Sequence, residues 1–322
     1  MAERIVGELS FVDSLMAEHG RRSSESLERI NGLVDWNSVS TKLGHLYPSR
    51  HGEKAFPALV MLKVLLLQCW HGLSDPAMEA ALDDRLSFRR FSGLSLEDQV
   101  PDYATIWRFR QKLADLKLDQ VLLQEIERQL DKAGFVMKRG TMIDASLTQS
   151  AARRPRINEG KESKTDNDAR FGANNERGRF TFGYKMHVAV DEGAVLVRAA
   201  VLTPANIQEI DLACDLVRGD EAQVLADRGY DSKRLHNHLA ERGIKNGVMR
   251  RGQKGKPLEG EALQRNHAIS AIRRTVEKVF GTFKRHYQLG RMRYFTHARN
   301  QVRFLLSAIC YNLRRADVIR AT

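Results

Sequence analysis

Near Gly140 the hydrophobic period of this chain changes, and that change limits the folds open to it. Up to about Lys138 apolar residues recur at three- and four-residue steps, through residues 56–70, 76–91 and 106–130, the period of helices with one buried face. Beyond Gly140 come short β-branched runs divided by turn residues. Residues 141–145 read as a strand, and residues 184–191 and 194–202 as two strands of a hairpin around Asp191-Glu192-Gly193. Residues 207–217 then read as a helix, 223–226 as a strand ending at Asp227, 232–242 as a helix, 247–249 as a last strand, and 267–286 as a long helix. The polar stretch 149–179 has no apolar period and reads as a loop. This order fits a mixed sheet with helices on its faces. The fold class expected is α/β (α+β overall), with an all-α region at residues 1–138 followed by a mixed-sheet domain at 139–322.

With 322 residues, 42% of them apolar, the chain can bury a sizeable core. Its formal net charge is +12. Residues 265–322 hold nearly all of that excess, thirteen Lys or Arg against two acidic residues, interleaved with Phe280, Phe283, Tyr287, Tyr294 and Phe295. Such a field attracts a polyanion, although a charge run is also how a solvated face looks. Cys69, Cys214 and Cys310 are far apart with no paired spacing, which excludes a zinc ribbon and speaks against a disulfide framework. The apolar run 58–70 is broken by Lys63 and Gln68, well short of the ~20 residues of a membrane span, and the N-terminus lacks the pattern of a signal peptide. A cytoplasmic, nucleoid-associated protein of a bacterium is the expectation, with no membrane partner.

Two groups of residues could carry function. In the helical region Asp102 can cap a helix whose Ile106, Phe109 and Leu113 share a face, leaving Arg108, Arg110 and Lys112 to point elsewhere. This helix is either a DNA reader of helix-turn-helix type or an ordinary bundle helix, since the connection before it is longer than the ~3–4 residues of a strict motif. Trp70 and Trp107 read as helix-core residues and His187 as a core or edge residue of a strand rather than a ligand. In the second half Asp144 and Asp227 fall at strands and Glu277 inside the last long helix. Carboxyl ends of strands converge on a crevice, and a cluster of carboxylates there would have its repulsion relieved by magnesium or manganese. Two such ions ~3.5–4 Å apart can clamp both oxygens of a phosphoryl displacement. By spacing alone, three scattered carboxylates are common in any protein.

The residues around these positions resemble the DDE transposases of bacterial insertion sequences, above all the IS-five group. The resemblance runs over most of the chain: residues 141–146 and 164–171; Gly183-Tyr184-Lys185; His187-Val188-Ala189-Val190-Asp191; Thr203-Pro204-Ala205-Asn206; Ala226-Asp227-Arg228-Gly229-Tyr230-Asp231; Arg273, Glu277 and Lys284 with three and six residues between them; and Tyr311-Asn312-Leu313. It implies an RNase H-like catalytic domain in which Asp144, Asp227 and Glu277 hold Mg2+ or Mn2+, two ions per site, while Arg273 and Lys284 hold DNA phosphates beside them. The implied partners are double-stranded DNA, as terminal inverted repeats and as target, and a second copy of the chain on that DNA; no small-molecule cofactor is implied. Arg291 and Arg293, with Arg299 and Arg303 beyond, are expected to grip phosphates further along.

Helix geometry agrees: at ~100° per residue, Arg273 and Lys284 lie within about 40° of Glu277. The chain also departs from the family's pattern. Ser270 stands where the wider signature has Tyr, and Gln208-Glu209 where many relatives have His-Asp, so no catalytic role is assigned to Gln208 or Glu209. The 49 residues between Asp227 and Glu277 leave no room for the β-rich insertion of some relatives. The activity implied is cleavage at the element's ends and transfer of the freed 3′ hydroxyls to target DNA. A domesticated, non-catalytic DNA-binding protein and a metal-dependent nuclease without strand transfer are the alternatives.

Overall fold

The structure, a computed structural model, describes residues 3–8, 13, 25–47, 54–156, 163–173, 180–252 and 258–321. It forms two compact units, one of Met1–Gln129 with Leu305–Thr322, the other of Leu130–Phe304.

The first unit is helical: α1 (Glu25–Asn31), α2 (Trp36–Leu43), α3 (Ala58–His71), α4 (Asp75–Asp84), α5 (Leu86–Ser92), α6 (Tyr103–Asp115) and most of α7 (Leu118–Lys132). The most deeply buried of these is α3, with Val60 through Gln68 all inside. Lys63 is tolerated there because its Nζ donates to Asn31 Oδ1 at 2.8 Å and lies over the Trp36 ring, and burial brings its pKa down to about 8. Starts and stops follow local chemistry. Gly72, at φ 64°, ends α3; Ser74 caps α4; and Asp102 caps α6 by accepting the Thr105 N–H at 2.7 Å.

The last helix, α11 (His297–Ala321), gives its larger part to this unit. Leu305, Leu306, Ile309, Cys310 and Leu313 are buried, the Cys310 carbonyl accepts the Trp70 indole N–H at 3.0 Å, and Asp317 takes Arg29 at 2.7 Å. Trp70 is thus the packed residue the periodicity suggested. Trp107 is not: it is 42% exposed on α6.

The second unit is built on a six-stranded mixed sheet, β1 (Thr141–Gln149), β2 (Arg170–Ala173), β3 (Phe180–Asp191), β4 (Val197–Pro204), β5 (Gln223–Ala226) and β6 (Lys245–Val248). Its order is β2-β3-β1-β5-β6, with β4 also paired to β3. β3 runs antiparallel to β1, β2 and β4, while β1, β5 and β6 are mutually parallel. The α/β class with a helical region before a mixed sheet is as expected. Helices α8 (Glu209–Leu212), α9 (Lys233–Glu241) and α10 (Gly260–Arg285) connect or cover the strands. Ile143, Ala189, Val224 and Ala226 of the sheet pack with Leu216, Leu235 and Leu239 into one core.

Two expectations need correction. The stretch read as a loop contains β2, which pairs to β3 with Phe171 opposite Phe182, ring centroids 5.1 Å apart; a cross-strand aromatic pair suffices to hold so short a strand. The rest of that stretch at residues 157–162 and 174–179 lies outside the described residues. The helix expected at 207–217 shortens to α8, and turns carry the chain through Cys214 to Val217.

Candidate active site

The parallel pairing of β1 with β5 runs Thr141↔Val224, Met142↔Leu225, Ile143↔Ala226 and stops. Asp144, still within β1, and Asp227, the residue after β5, come next. Beyond them β1 continues along β3, whereas the chain after β5 folds into a 3-10 turn, Arg228–Tyr230, capped by Asp227 through the Gly229 N–H at 2.7 Å. Two neighbouring strands therefore part at a pair of aspartates, the geometry that opens a crevice at the carboxyl edge of a sheet. An open cleft of about 550 Å³ lies there, lined by Glu209, Asp227, Arg228, Gly229, Arg251 and Gly252.

Asp144 sits mid-strand, with Oδ1 accepting the Ala145 N–H at 2.9 Å. Helix α10 packs across β1 and β5 and brings Arg273 to 3.2 Å from Asp144 Oδ2. Burial pushes the Asp144 carboxyl up to about 6; Arg273 and the Ala145 N–H oppose the rise, and the charges of Asp227 and Glu209 add to it.

Glu209 is the residue to which sequence reasoning assigned no role. It opens α8, which packs on the Arg228–Tyr230 turn, and its carboxylate stands 3.6 Å from Lys185 Nζ, an ammonium that also donates to the Ile207 carbonyl at 2.9 Å. Burial raises the Glu209 pKa, Lys185 draws it down, and the charge of Asp227 raises it again. The signal available in the sequence was its place just after Thr203-Pro204-Ala205-Asn206, where β4 ends.

Glu277 lies one helical turn beyond Arg273 on α10 and is exposed. Among the described residues no three His, Cys, Asp or Glu side chains stand as a ready-made metal group. The structure thus brings together Asp144, Asp227 and Arg273 of the residues expected, adds Glu209 and Lys185, and leaves Glu277 facing solvent.

The candidate DNA contacts divide similarly. Arg108 and Lys284 are exposed, and Lys112 lies over the Tyr47 ring at 4.5 Å. Arg110, expected to point away from the apolar stripe, is instead 3% exposed, paired with Asp75 at 2.6 Å and bonded to Gln68 at 2.8 Å. It lies four residues after Ile106 and three before Leu113, on the buried face itself, so its guanidinium is committed inside the bundle. Arg291 donates to the Ser150 and Ala151 carbonyls, and Arg303 to those of Tyr287 and Gln288, so both also hold the local backbone. Arg293 reaches Gln288 at 3.5 Å. His187 is fully buried against Thr203 at 2.9 Å, with its pKa taken down to about 3 by burial; of the two places expected, core or edge, it takes the core.

Residues 138–313, more than half of the chain, match the family described as "Transposase DDE domain". Residues 15–112 match a second family, "Transposase domain (DUF772)". The chain belongs to the DDE transposases, of insertion-sequence type. It is a transposase, an enzyme that cuts and transfers DNA, and DNA is its substrate. Neither match singles out the IS-five group, and no solved structure matches the chain significantly. No helix among the described residues is long and apolar enough to cross a membrane.

Proposed function

We propose that this transposase binds the terminal inverted repeats of its element, cleaves the DNA at the ends, and transfers the freed 3′ hydroxyls to target DNA at a site formed by Asp144, Asp227 and Glu277. The observation that carries the reading is the parting of β1 and β5 at Asp144 and Asp227, with Arg273 laid against Asp144 from α10. A divalent cation fits this donor set. The oxygens are hard, and the Asp144 carboxyl is held up to about 6 by burial and by its acidic neighbours, a repulsion that a cation would relieve. Mg2+ or Mn2+, two per site, would be held by Asp144 and Asp227, with Glu277 joining from the turn after Arg273. When bound, the metal supplies Lewis-acid stabilisation of charge on the phosphoryl oxygens.

The chain's own side chains position the DNA. Arg273 keeps a buried Nε without a hydrogen-bond partner among the described residues, a donor suited to a phosphate oxygen next to Asp144. Lys284, further along the same helical stripe, adds an exposed cation. In the first step water attacks the phosphodiester at the element's end and the 3′ oxygen leaves; in the second that 3′ hydroxyl attacks a target phosphodiester and displaces its 3′ oxygen. Recognition of the ends belongs to the helical region, where Arg108 and Lys112 of α6 are the side chains offered, and the assembly on DNA is at least a dimer.

The test is single-turnover cleavage and joining with Mg2+ or Mn2+ on an end-containing duplex, next to a gel-shift measurement on the same DNA. Asp144→Asn, Asp227→Asn and Glu277→Gln each lose cleavage by ~10³ or more while keeping end binding. Ca2+ supports assembly but little chemistry. Substantial cleavage by any of the three variants would overturn the assignment of that residue.

A further inference from the structure

Gly229 separates two carboxylates. A Cβ placed on it would lie 2.8 Å from Asp227 Oδ1 and 3.3 Å from Glu209 Oε2, so both oxygens border one small space that a side chain there would press into. Its backbone is not in the left-handed region, so the requirement there is for space and not for conformation. Both carboxylates also line the cleft.

A second, independent feature adjoins Gly229 in the chain. Tyr230 is fully buried, and its hydroxyl has no hydrogen-bond partner among the described residues. The charged groups that act on this phenol are Glu209 first, then Asp144, Asp227 and Arg273. A buried hydroxyl left unsatisfied carries a desolvation penalty, and native structures seldom leave one so unless something absent completes it. An acidic side chain drawn inward, or a water held by a cation, would complete it here.

We infer that Glu209 is a fourth carboxylate of the active site, holding the divalent cation jointly with Asp227 across the space above Gly229, with the Tyr230 hydroxyl positioning the pair from beneath. The inference rests on the function proposed above and extends it. Lys185, 3.6 Å away, is then the counter-charge that Glu209 uses when no metal is present, as Arg273 is for Asp144. Entry of a cation would release both for phosphate oxygens of the DNA.

The experiment uses the full chain and Mn2+ alone, without DNA, following loss of the free-Mn2+ EPR signal in a titration. Asp144→Asn and Asp227→Asn abolish binding, and Glu209→Gln weakens it at least about tenfold. Glu209→Asp, which keeps the charge but shortens the reach, recovers part of the loss. Gly229→Ala weakens binding by filling the shared space. Tyr230→Phe weakens it several-fold while melting no lower than wild type, because it removes a hydroxyl with no partner among the described residues; a purely structural tyrosine would do the reverse. Should Glu209→Gln fail to fold, Tyr230→Phe and Gly229→Ala carry the test. If Glu209→Gln and Tyr230→Phe bind Mn2+ as wild type does while the two aspartate variants do not, this inference falls and the proposed function stands. If the aspartate variants also bind normally, the proposed function falls with it.

Discussion

Asp144 is a carboxyl whose fold makes it hard to ionise, and that has a measurable sign. Its pKa rises from 3.8 to about 6, so the folded chain holds the proton more tightly than the unfolded chain. Stability from this group is highest below pH ~4, falls as pH climbs towards 6, and is level above. Asp144→Asn removes the penalty. In urea unfolding without metal it stabilises the chain at pH 7.5, by on the order of 2–3 kcal/mol, and gives no gain near pH 3.5. Arg110 predicts the opposite kind of effect. Its guanidinium is buried while Asp75 is partly covered, so Arg110→Ala leaves that carboxylate with Gln68 but without its counter-charge and lowers stability by ~3 kcal/mol in the same measurement. Arg108→Ala, at an exposed neighbour, leaves stability within ~0.5 kcal/mol. Reading Arg110 as a surface residue put its charge ahead of its spacing; the i+4 step from Ile106 already placed it on the buried face.

Elements were legible where a single period governs them. β5 ends in Ala226 as expected, and the long basic helix is present, beginning at Gly260 rather than near residue 267. β2 was hidden because four residues carry no period of their own and exist only through pairing with β3. The same physical reason hid Glu209. It reaches the site because the chain after β4 turns into α8, which packs on the Arg228–Tyr230 turn, a long-range arrangement that its place after Thr203-Pro204-Ala205-Asn206 marks but does not by itself fix. Asp144 was legible as a strand carboxylate, but its pairing with Arg273 depends on α10 crossing β1. Along α10, the exposed Lys284 invites a test at the scale of the helix. Lys284→Ala should lower the slope of log K against log salt by about 0.9 on duplex DNA, alike for all sequences, in a salt titration of binding. Single-turnover cleavage at saturating DNA should fall by more than binding does, since a cation beside the reacting phosphate also stabilises charge that develops in the transition state.

At the scale of the whole molecule, the helical unit takes residues from both sides of the catalytic unit, Met1–Gln129 and Leu305–Thr322. A fragment of residues 1–138 therefore lacks the buried stripe of Leu305, Ile309, Cys310 and Leu313 and the Asp317 partner of Arg29. We expect that fragment to be poorly folded by circular dichroism and to bind no DNA selectively; the same fragment with residues 305–321 supplied through a flexible linker should melt cooperatively and regain preference for end-containing duplex. Cooperative folding of the shorter fragment alone would remove the role given to α11. The arrangement has a consequence during synthesis. A ribosome delivers residue 305 only after the catalytic unit has been made, so the helical unit stays unfinished until then. A chain interrupted earlier, from a gene broken by deletion or frameshift, would carry Arg108 and Lys112, the side chains proposed to meet the ends, on a bundle missing one helix. An incompletely packed bundle is open to proteolysis, so on the function proposed above we expect a truncated copy to compete poorly with its active relatives.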